Sequence, residues 1–165
     1  MGDCIFCDIA ARRAPASVLY SDERVTAFLD HHPVTPGHLI VIPNGHYAVL
    51  AELPEDLGAH IFTVATRLAA ALRSSGLPCE GINLLLADGE AAFQEVFHTH
   101  LHVVPRVPGD GFTIRASAWS DPKPSRDSLE ANAEAIRAAL LDSSEPELVG
   151  PEQQDDDGQR DGLTD

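Results

Sequence analysis

The sequence is poor in cysteine and in basic residues, and it has no long apolar run. Its three cysteines, at positions 4, 7 and 79 of 165 residues, are too few for a disulfide framework. Its 11 Lys and Arg residues against 26 Asp and Glu give a formal net charge of −15. This balance argues against nucleic acid as the main partner, because nucleic-acid-binding proteins present clustered Lys and Arg side chains. No apolar run approaches the roughly 18 residues needed to cross a bilayer, so no membrane span is predicted.

The opening segment carries no recognisable address signal. Residues 1–13 lack the apolar stretch of a secretory signal. Phe6 stands where the N-myristoylation pattern requires Ser or Thr. We therefore expect a cytoplasmic protein without a membrane partner.

The acidic residues are concentrated towards the C-terminal end. Nine of them lie in residues 142–165, against the single base Arg160. Few apolar side chains offset the entropy of ordering this segment, so a flexible, disordered acidic tail is predicted, with an acidic docking segment as the alternative. The hydrophobic content of 44% suffices for one domain, expected at 1–115, followed by an extension with a helix at 116–141.

Hydrophobic spacing predicts an α+β domain. A short helix is expected at 4–13, a second at 125–141, and a long helix between Pro54 and Gly76, which suit a first turn and a stop. The predicted strands are 17–20, 24–30, 37–43, 81–89 and 97–104. Because strands and helices do not alternate, we expect an antiparallel sheet of about five strands with the helices on one side.

The segment FHTHLHVVPR places histidine at every second position. On a strand, His98, His100 and His102 share one face, in a row of about 13 Å, while Phe97, Thr99, Leu101 and Val103 pack beneath the long helix. Such a row has two chemical interpretations. The histidines either divide nucleophilic attack at phosphorus and proton transfer between them, or they hold a catalytic zinc ion with an open position. Three idle histidines on a solvent face are the less favoured alternative.

Two further features involve metal-binding or proton-carrying residues. His38 begins the strand 37–43 and could lie beside the histidine strand. His60 is interpreted as a surface or satisfied helix residue. Cys4 and Cys7 form a Cys-x-x-Cys pair, which is a redox pair, half of a zinc site or a chance occurrence.

Taken together, the motifs CIFC, FLDHHPVTPGHLIVIPNGH, GINLLLADGEAAFQEV and HTHLHVV resemble the histidine triad (HIT) family of nucleotide hydrolases and transferases, from about Cys4 to Phe112. The resemblance implies a HIT-like fold. It also implies a two-fold homodimer formed through the long helix and an edge strand, giving a continuous sheet of about ten strands. The implied partner is a purine nucleotide containing AMP.

The resemblance also implies roles for individual residues. His100 matches the nucleophile that attacks the α-phosphorus, His102 the residue that contacts phosphate and assists the leaving group, and His38 the histidine that orients the triad, to which His98 also belongs. Asp30 matches a carboxylate that binds both ribose hydroxyls. The implied nucleotide-binding set is completed by Phe28, Ile5, Phe6 and Gln94. For the Cys pair, bacterial members imply a structural zinc ion at Cys4, Cys7, His46 and His98, and no organic cofactor is expected.

Three positions depart from the family pattern near the phosphate. Phe93 and Glu95 flank Gln94 where many members have Gly and Ser or Thr, and Ala87 replaces an amide residue. The favoured function is hydrolysis of a nucleoside 5′-phosphoramidate or a related AMP-X or dinucleoside polyphosphate through a nucleotidyl-histidine intermediate. A nucleotide-binding or scaffold protein with weak or no turnover is the alternative, and a zinc hydrolase using all three triad imidazoles is a third hypothesis.

Overall fold

A computed structural model describes residues 4–113 and 123–142. The helices are α1 (Ile5–Ala10), α2 (Glu55–Ser74) and α3 (Arg126–Asp142), and the strands are β1 (Val18–Ser21), β2 (Val25–Leu29), β3 (Leu39–Pro43), β4 (Gly81–Leu85) and β5 (Leu101–Arg106). The five strands form one sheet in the order β1-β2-β3-β5-β4, and every neighbouring pair is antiparallel. The predicted α+β class and antiparallel sheet are confirmed.

The chain divides into two compact units, residues 1–113 and 114–165. The first contains the sheet, α1 and α2. The second contains α3, on which Glu130 pairs with both Arg126 and Arg137. The disordered tail predicted for 142–165 lies outside the described residues, apart from the backbone of Asp142. None of the described helices is long and apolar enough to cross a bilayer.

The sheet buries both of its faces, which corrects the expectation that the helices lie on one side. On one face, Val41, Leu101 and Val103 pack with Ile61 and Val64 of α2 in the main core. The other face forms a second apolar cluster, whose members are Phe6 and Ile9 of α1 with Phe28, Ile40 and Ile42. The physical reason is in the sequence, since the continuous apolar run of β3 leaves apolar side chains on both faces and each face needs cover.

The last strand begins later than the histidine pattern predicts. β5 starts at Leu101, so His98 and His100 precede it on irregular backbone. The chain bends there because the His98 N–H donates to the carbonyl of Val96 (2.8 Å) and the Thr99 N–H to the carbonyl of Tyr47 (2.6 Å). Two expectations are therefore wrong: the three histidines do not form one strand row, and the Phe97 side chain is 48% exposed instead of packing beneath α2.

Two glycines with positive φ lie where the chain turns. Gly76 lies two residues after the end of α2 and has φ +83°, the left-handed conformation that commonly follows a helix. The predicted helix stop is confirmed. Gly37 has φ +90°, and a Cβ there would come within 3.0 Å of Leu72 and Leu77. Glycine at position 37 therefore lets the chain turn tightly into His38 and β3.

Candidate active site and metal-binding cluster

A cavity of about 340 Å³ opens beside the start of β5. Its lining consists of Ile5, Phe6, Ile9, Phe28, Asp30, His31, His32, Ile40, Ala87, Phe93, Glu95, Val96, His100 and His102. A second cavity shares Ile5, Phe28 and Asp30 with it and extends along α1. The structure thus brings together two triad histidines, the predicted ribose carboxylate and the predicted apolar base pocket.

His100 is held so that one ring nitrogen is available to a ligand. Its Nδ1 donates a hydrogen bond to the carbonyl of His98 (2.7 Å), and a carbonyl oxygen can only accept. In the neutral ring the proton is therefore on Nδ1 and the lone pair on Nε2. The ring of Phe6 packs edge-on against His100, with 5.1 Å between centroids, and His100 is 6% exposed. In the neutral ring, the geometry therefore holds the Nε2 lone pair of His100 in a fixed position.

A chain of hydrogen bonds fixes the opposite arrangement at His102. The Val34 N–H donates to Nδ1 of His38 (3.2 Å), so the His38 proton is on Nε2, which donates to Nδ1 of His102 (2.9 Å). The neutral His102 ring therefore carries its proton on Nε2. The register explains the contact, because Ile40 pairs with His102 across β3 and β5, which places His38 near the same strand position, as predicted.

The two rings thus offer different nitrogens. His100 and His102 lie with 4.9 Å between their centroids. Since Nδ1 is occupied in both, each has only Nε2 for a ligand, as an electron-pair donor in His100 and as a hydrogen-bond donor in His102. This complementary pair can attack an electrophile at one atom and stabilise negative charge beside it.

Burial keeps the supporting histidines neutral. Burial is the largest of the effects that together lower the pKa of His102 to about 4; the neighbouring His100 and His38 act in the same direction, and Asp30 opposes them. Burial also lowers the pKa of His38, again against Asp30. Neutral rings are what the hydrogen-bond chain requires, because each ring must accept at one nitrogen and donate at the other.

Asp30 lies at the end of β2, between the histidine chain and the cavity. Its Oδ1 accepts from the His32 N–H (2.9 Å), and its Oδ2 lies 3.6 Å from His38 Nε2 and 3.9 Å from His102 Nδ1. The side chain is 13% exposed and lines the cavity. Its remaining acceptor capacity faces a site where two neighbouring hydroxyl donors could bind.

Gln94 is buried and engaged with backbone groups. Its Oε1 accepts from the Gly89 N–H (2.7 Å), and its Nε2 donates to the carbonyls of Ala48 (2.7 Å) and Val96 (3.2 Å). It is 4% exposed and is not among the residues lining the cavity. In this structure Gln94 fixes the segment that carries Phe93 and Glu95, and its direct contact with a nucleotide stays a prediction.

The fourth predicted set, Cys4, Cys7, His46 and His98, also converges. Nδ1 of His98 lies 3.5 Å from each Cys Sγ, and Nδ1 of His46 lies 3.3 Å from Cys7 Sγ. All four ligand atoms lie within 4.8 Å of one another. Ligand separations of about 3.3–3.8 Å are those of a tetrahedral zinc site with bonds of 2.0–2.3 Å. The donor set and spacing therefore fit a zinc ion.

The surroundings of His98 support metal binding. Its Nε2 donates to the carbonyl of Pro43 (3.0 Å), which leaves the lone pair on Nδ1, directed at the two sulfurs. A metal-bound imidazole in proteins almost always makes such a second hydrogen bond. Burial raises the pKa of the Cys7 thiol, and the neighbouring Cys4 raises it further, so without a cation Cys7 keeps its proton.

A catalytic metal held by all three triad imidazoles does not match the geometry. Both nitrogens of His98 are engaged away from the cavity, and its side chain is fully buried. Asp30, His38 and His102 form a second group of potential metal ligands. Two of its members already share a direct hydrogen bond of 2.9 Å, which accounts for their proximity.

Several participating groups are not evident from the sequence motifs. Three backbone groups set the tautomers: the carbonyl of His98 that of His100, the carbonyl of Pro43 that of His98, and the N–H of Val34 that of His38. Backbone groups carry no sequence signal. Ile9 was also missed as a cavity residue, although it lies one helical turn after Ile5 on α1. His31 and His32, which follow Asp30, line the cavity as well.

The fold and site define an α+β protein with a histidine-lined cavity beside a Cys₂His₂ cluster. The HIT domain family model matches residues 11–109, and the chain belongs to the HIT family.

Individual relatives extend this match. The chain is 33% identical over 156 residues to the adenylylsulfatase HINT3 of Arabidopsis thaliana, covering 90% of this chain and 75% of the relative. A zinc-bound histidine triad protein from Mycobacterium smegmatis is 43% identical, with a TM-score of 0.64 and coverage of 86% and 97%. A histidine triad nucleotide-binding protein from Candida albicans is 29% identical, with a TM-score of 0.75 and coverage of 86% and 99%.

Proposed function

We propose that the protein hydrolyses a nucleoside 5′-phosphoramidate, or a related AMP-X compound, at the α-phosphate through a nucleotidyl-histidine intermediate. The observation that carries the proposal is the pair of tautomers in the cavity, with a lone pair on His100 Nε2 and a proton on His102 Nε2. Nucleotide chemistry is supported by membership of the HIT family and by the named functions of the plant and yeast relatives.

In the first step, the lone pair of His100 Nε2 forms a bond to the α-phosphorus. The bond from phosphorus to the leaving nitrogen breaks, its electron pair stays on the amine, and the amine takes a proton from His102. Since the free protein holds His102 neutral, this step requires that the negative charge of the bound phosphate raise the pKa of His102 and protonate it. Nucleotidyl-His100, a neutral amine and neutral His102 result.

In the second step, water attacks the nucleotidyl-histidine. His102 Nε2 accepts a proton from the water, the new oxygen–phosphorus bond forms, and the bond between phosphorus and His100 Nε2 breaks with its electron pair returning to the ring. The products are the nucleoside monophosphate and protonated His102, so the cycle is closed. In the free protein His38 positions His102 by donating to its Nδ1. Once His102 is protonated, its Nδ1 keeps a hydrogen through both steps and turns from His38 to Asp30 Oδ2, which lies 3.9 Å away in the free protein, so that Nε2 gives and then takes back the transferred proton.

The nucleoside part is assigned to the β2 side of the cavity. Asp30 accepts hydrogen bonds from the ribose hydroxyls, and the base lies against Ile5, Phe6 and Phe28. Phe6 also packs on Phe28, with 5.7 Å between ring centroids, so the base pocket and the nucleophile share one aromatic support.

The Cys₂His₂ cluster is assigned to a structural zinc ion. Cys4 and Cys7 at the start of α1, His46 after β3 and His98 before β5 would hold it, and its chemistry would be to crosslink these segments. His98 would then serve two purposes, because its ring binds the metal while its carbonyl orients His100.

A nucleotide-binding protein without turnover is the second candidate function. It is favoured by Phe93 and Glu95, since an aromatic ring and a carboxylate line the cavity where glycine and a hydroxyl residue are usual in the family. A carboxylate near the phosphate site would disfavour an anionic leaving group.

Steady-state hydrolysis of a fluorogenic adenosine 5′-phosphoramidate separates these candidates. We expect His100→Asn to lower kcat by about a thousandfold or more and Asp30→Asn to act mainly on KM. His60→Asn, a histidine of α2 outside the cavity, is the matched control. AMP binding with no product in wild type would favour the second candidate. Loss of activity on mild chelation, while the fold is retained, would favour the catalytic zinc ion.

A further inference from the structure

The segment 87–95 gives one part of the cavity a distinct chemical character. Phe93 and Glu95 line it together with His100 and His102. Apart from Asp30, the rest of the lining is apolar or histidine, so Glu95 is the second carboxylate of the cavity. Phe93 and Glu95 form one wall of the cavity, the 93–95 wall.

Phe93 has two properties that do not stabilise the fold. Its backbone is left-handed, with φ +65° and ψ 32°, which is unfavourable for a residue with a bulky side chain. Its side chain is 88% exposed, although a buried phenyl ring would contribute to the core. A strained and exposed aromatic residue beside a reactive pair points to ligand contact as its purpose.

The 93–95 wall is held in place before any ligand binds. The Phe93 N–H donates to the carbonyl of Glu90 (2.9 Å), and the Gln94 N–H to the carbonyl of Gly89 (3.2 Å). The buried Gln94 side chain ties the same segment to Ala48. The backbone that carries the ring and the carboxylate therefore has little ordering entropy left to lose on binding.

We propose that Phe93 and Glu95 form the leaving-group subsite and select an aliphatic amine that carries a second, positively charged amino group. An ammonium group is attracted both by a carboxylate and by the face of an aromatic ring, and the ring also covers the methylene chain. The same carboxylate repels sulfate and polyphosphate. This inference rests on the proposed hydrolase function, and it assigns that function to phosphoramidates of diamines over anionic AMP-X compounds.

Three adenosine 5′-phosphoramidates of similar size test the subsite. Their amines are 4-aminobutyl, n-pentyl and 4-carboxybutyl, which present a cation, a neutral methyl group and an anion. We expect wild-type kcat/KM to be about fivefold higher for the aminobutyl than for the pentyl compound, and lowest for the carboxybutyl compound. The preference should shrink in 1 M NaCl, because salt screens an exposed carboxylate.

Matched variants assign the preference to residues. Glu95→Gln should reduce the ratio of aminobutyl to pentyl kcat/KM from about fivefold to about twofold, the part that the Phe93 ring supplies. Glu90→Gln, in the same segment but outside the cavity lining, should retain the full ratio. Phe93→Gly should lower the ratio while raising the midpoint of thermal unfolding, since glycine tolerates positive φ. If Phe93 had only a structural role, its replacement would change the unfolding midpoint without changing the kcat/KM ratio.

The outcomes distinguish this inference from the function on which it rests. Equal kcat/KM for the three amides, or faster hydrolysis of adenylylsulfate than of the aminobutyl amide, overturns the subsite while the hydrolase stands. A ratio unchanged in Glu95→Gln overturns it too. If none of the compounds is hydrolysed, the proposed function and the subsite fail together.

Discussion

His98, His100 and His102 differ in which ring nitrogen the protein leaves available. His98 offers the lone pair of Nδ1 to two sulfurs, His100 offers the lone pair of Nε2 to the cavity, and His102 offers a proton there. The three residues have the same side chain and stand at alternate positions of one short motif. Their roles separate because the hydrogen-bond partner of the other nitrogen is a carbonyl in the first two cases and an imidazole donor in the third.

The Thr99 hydroxyl gives a stability prediction at a single atom. Among the described residues, Thr99 Oγ1 is buried without a hydrogen-bond partner, while the buried Thr26 hydroxyl donates to Asn44 (2.7 Å). We expect Thr99→Val to leave the free energy of unfolding unchanged or to raise it by up to about 1 kcal/mol, and Thr26→Val to lower it by about 1–3 kcal/mol. Urea unfolding measures both. Equal destabilisation by the two variants would contradict this account.

The depressed pKa of His102 predicts an acid-sensitive stability. Its folded pKa is about 4, below the ordinary 6.5, so the unfolded chain binds more protons as pH falls. The contribution is fully present above about pH 6.5 and is lost progressively down to about pH 4. Between pH 7 and 4 the free energy of unfolding should therefore fall, with His102 contributing on the order of 1–3 kcal/mol.

His102→Asn isolates this contribution. Both proteins are unfolded with urea across the pH range in the presence of a chelator, so that acid release of a metal does not add to the slope. The variant should show a shallower decline than wild type. Identical slopes would mean that the protonation of His102 costs the folded state nothing.

At the scale of elements, the Cys₂His₂ cluster ties α1 to the sheet. α1 has six residues, too few to be stable alone, and it carries Phe6 onto His100. A metal ion bound by Cys4, Cys7, His46 and His98 would add a second attachment to the packing of Phe6 and Ile9 on the sheet.

Zinc removal should therefore loosen α1 and lower thermal stability. We expect one zinc ion per chain by elemental analysis, loss of that ion in Cys7→Ser and His46→Ala, and a lower unfolding midpoint in both. Cys79→Ser, also half-buried but outside the cluster, should keep the metal. Purified wild-type protein that binds no zinc on titration would contradict the assignment.

The element boundaries show which part of the site a sequence can predict. The short apolar runs of β2 and β3, the helical spacing in α2 and the turn at Gly76 are local patterns, and each predicted its element to within a few residues. The predicted start of β5 is wrong because the His98 side chain contacts partners distant in sequence, Cys4 and Pro43 among them, and these contacts keep His98 out of the strand. Period-two spacing describes a strand but does not show where the strand begins.

At the scale of the whole chain, the family resemblance gave the fold and the grouping of the site residues. The tautomers and the two-sided burial of the sheet depend on tertiary contacts, such as that between Val34 and His38, which no motif encodes. The exposure of Phe93 likewise follows from the backbone conformation of its turn.

Assembly is predicted from the same resemblance and from two exposed features. β4 is an edge strand of the sheet, and Phe62 of α2 is 55% exposed. We expect sedimentation to give twice the chain mass of 17.7 kDa, and Phe62→Asp to shift it towards the monomer. Leu19→Asp, on the opposite edge strand β1, is the control and should leave the mass unchanged. A wild-type protein at the mass of one chain would contradict the dimer.

The covalent intermediate is the central claim, and one measurement tests it directly. Wild-type protein and His100→Ala are mixed with an adenosine phosphoramidate in a single turnover, quenched within the first turnover and analysed by intact mass and peptide mapping. We expect an added adenylyl mass on wild type alone, located at His100. Product formation at full rate in His100→Ala, or an adduct on another residue, would contradict it.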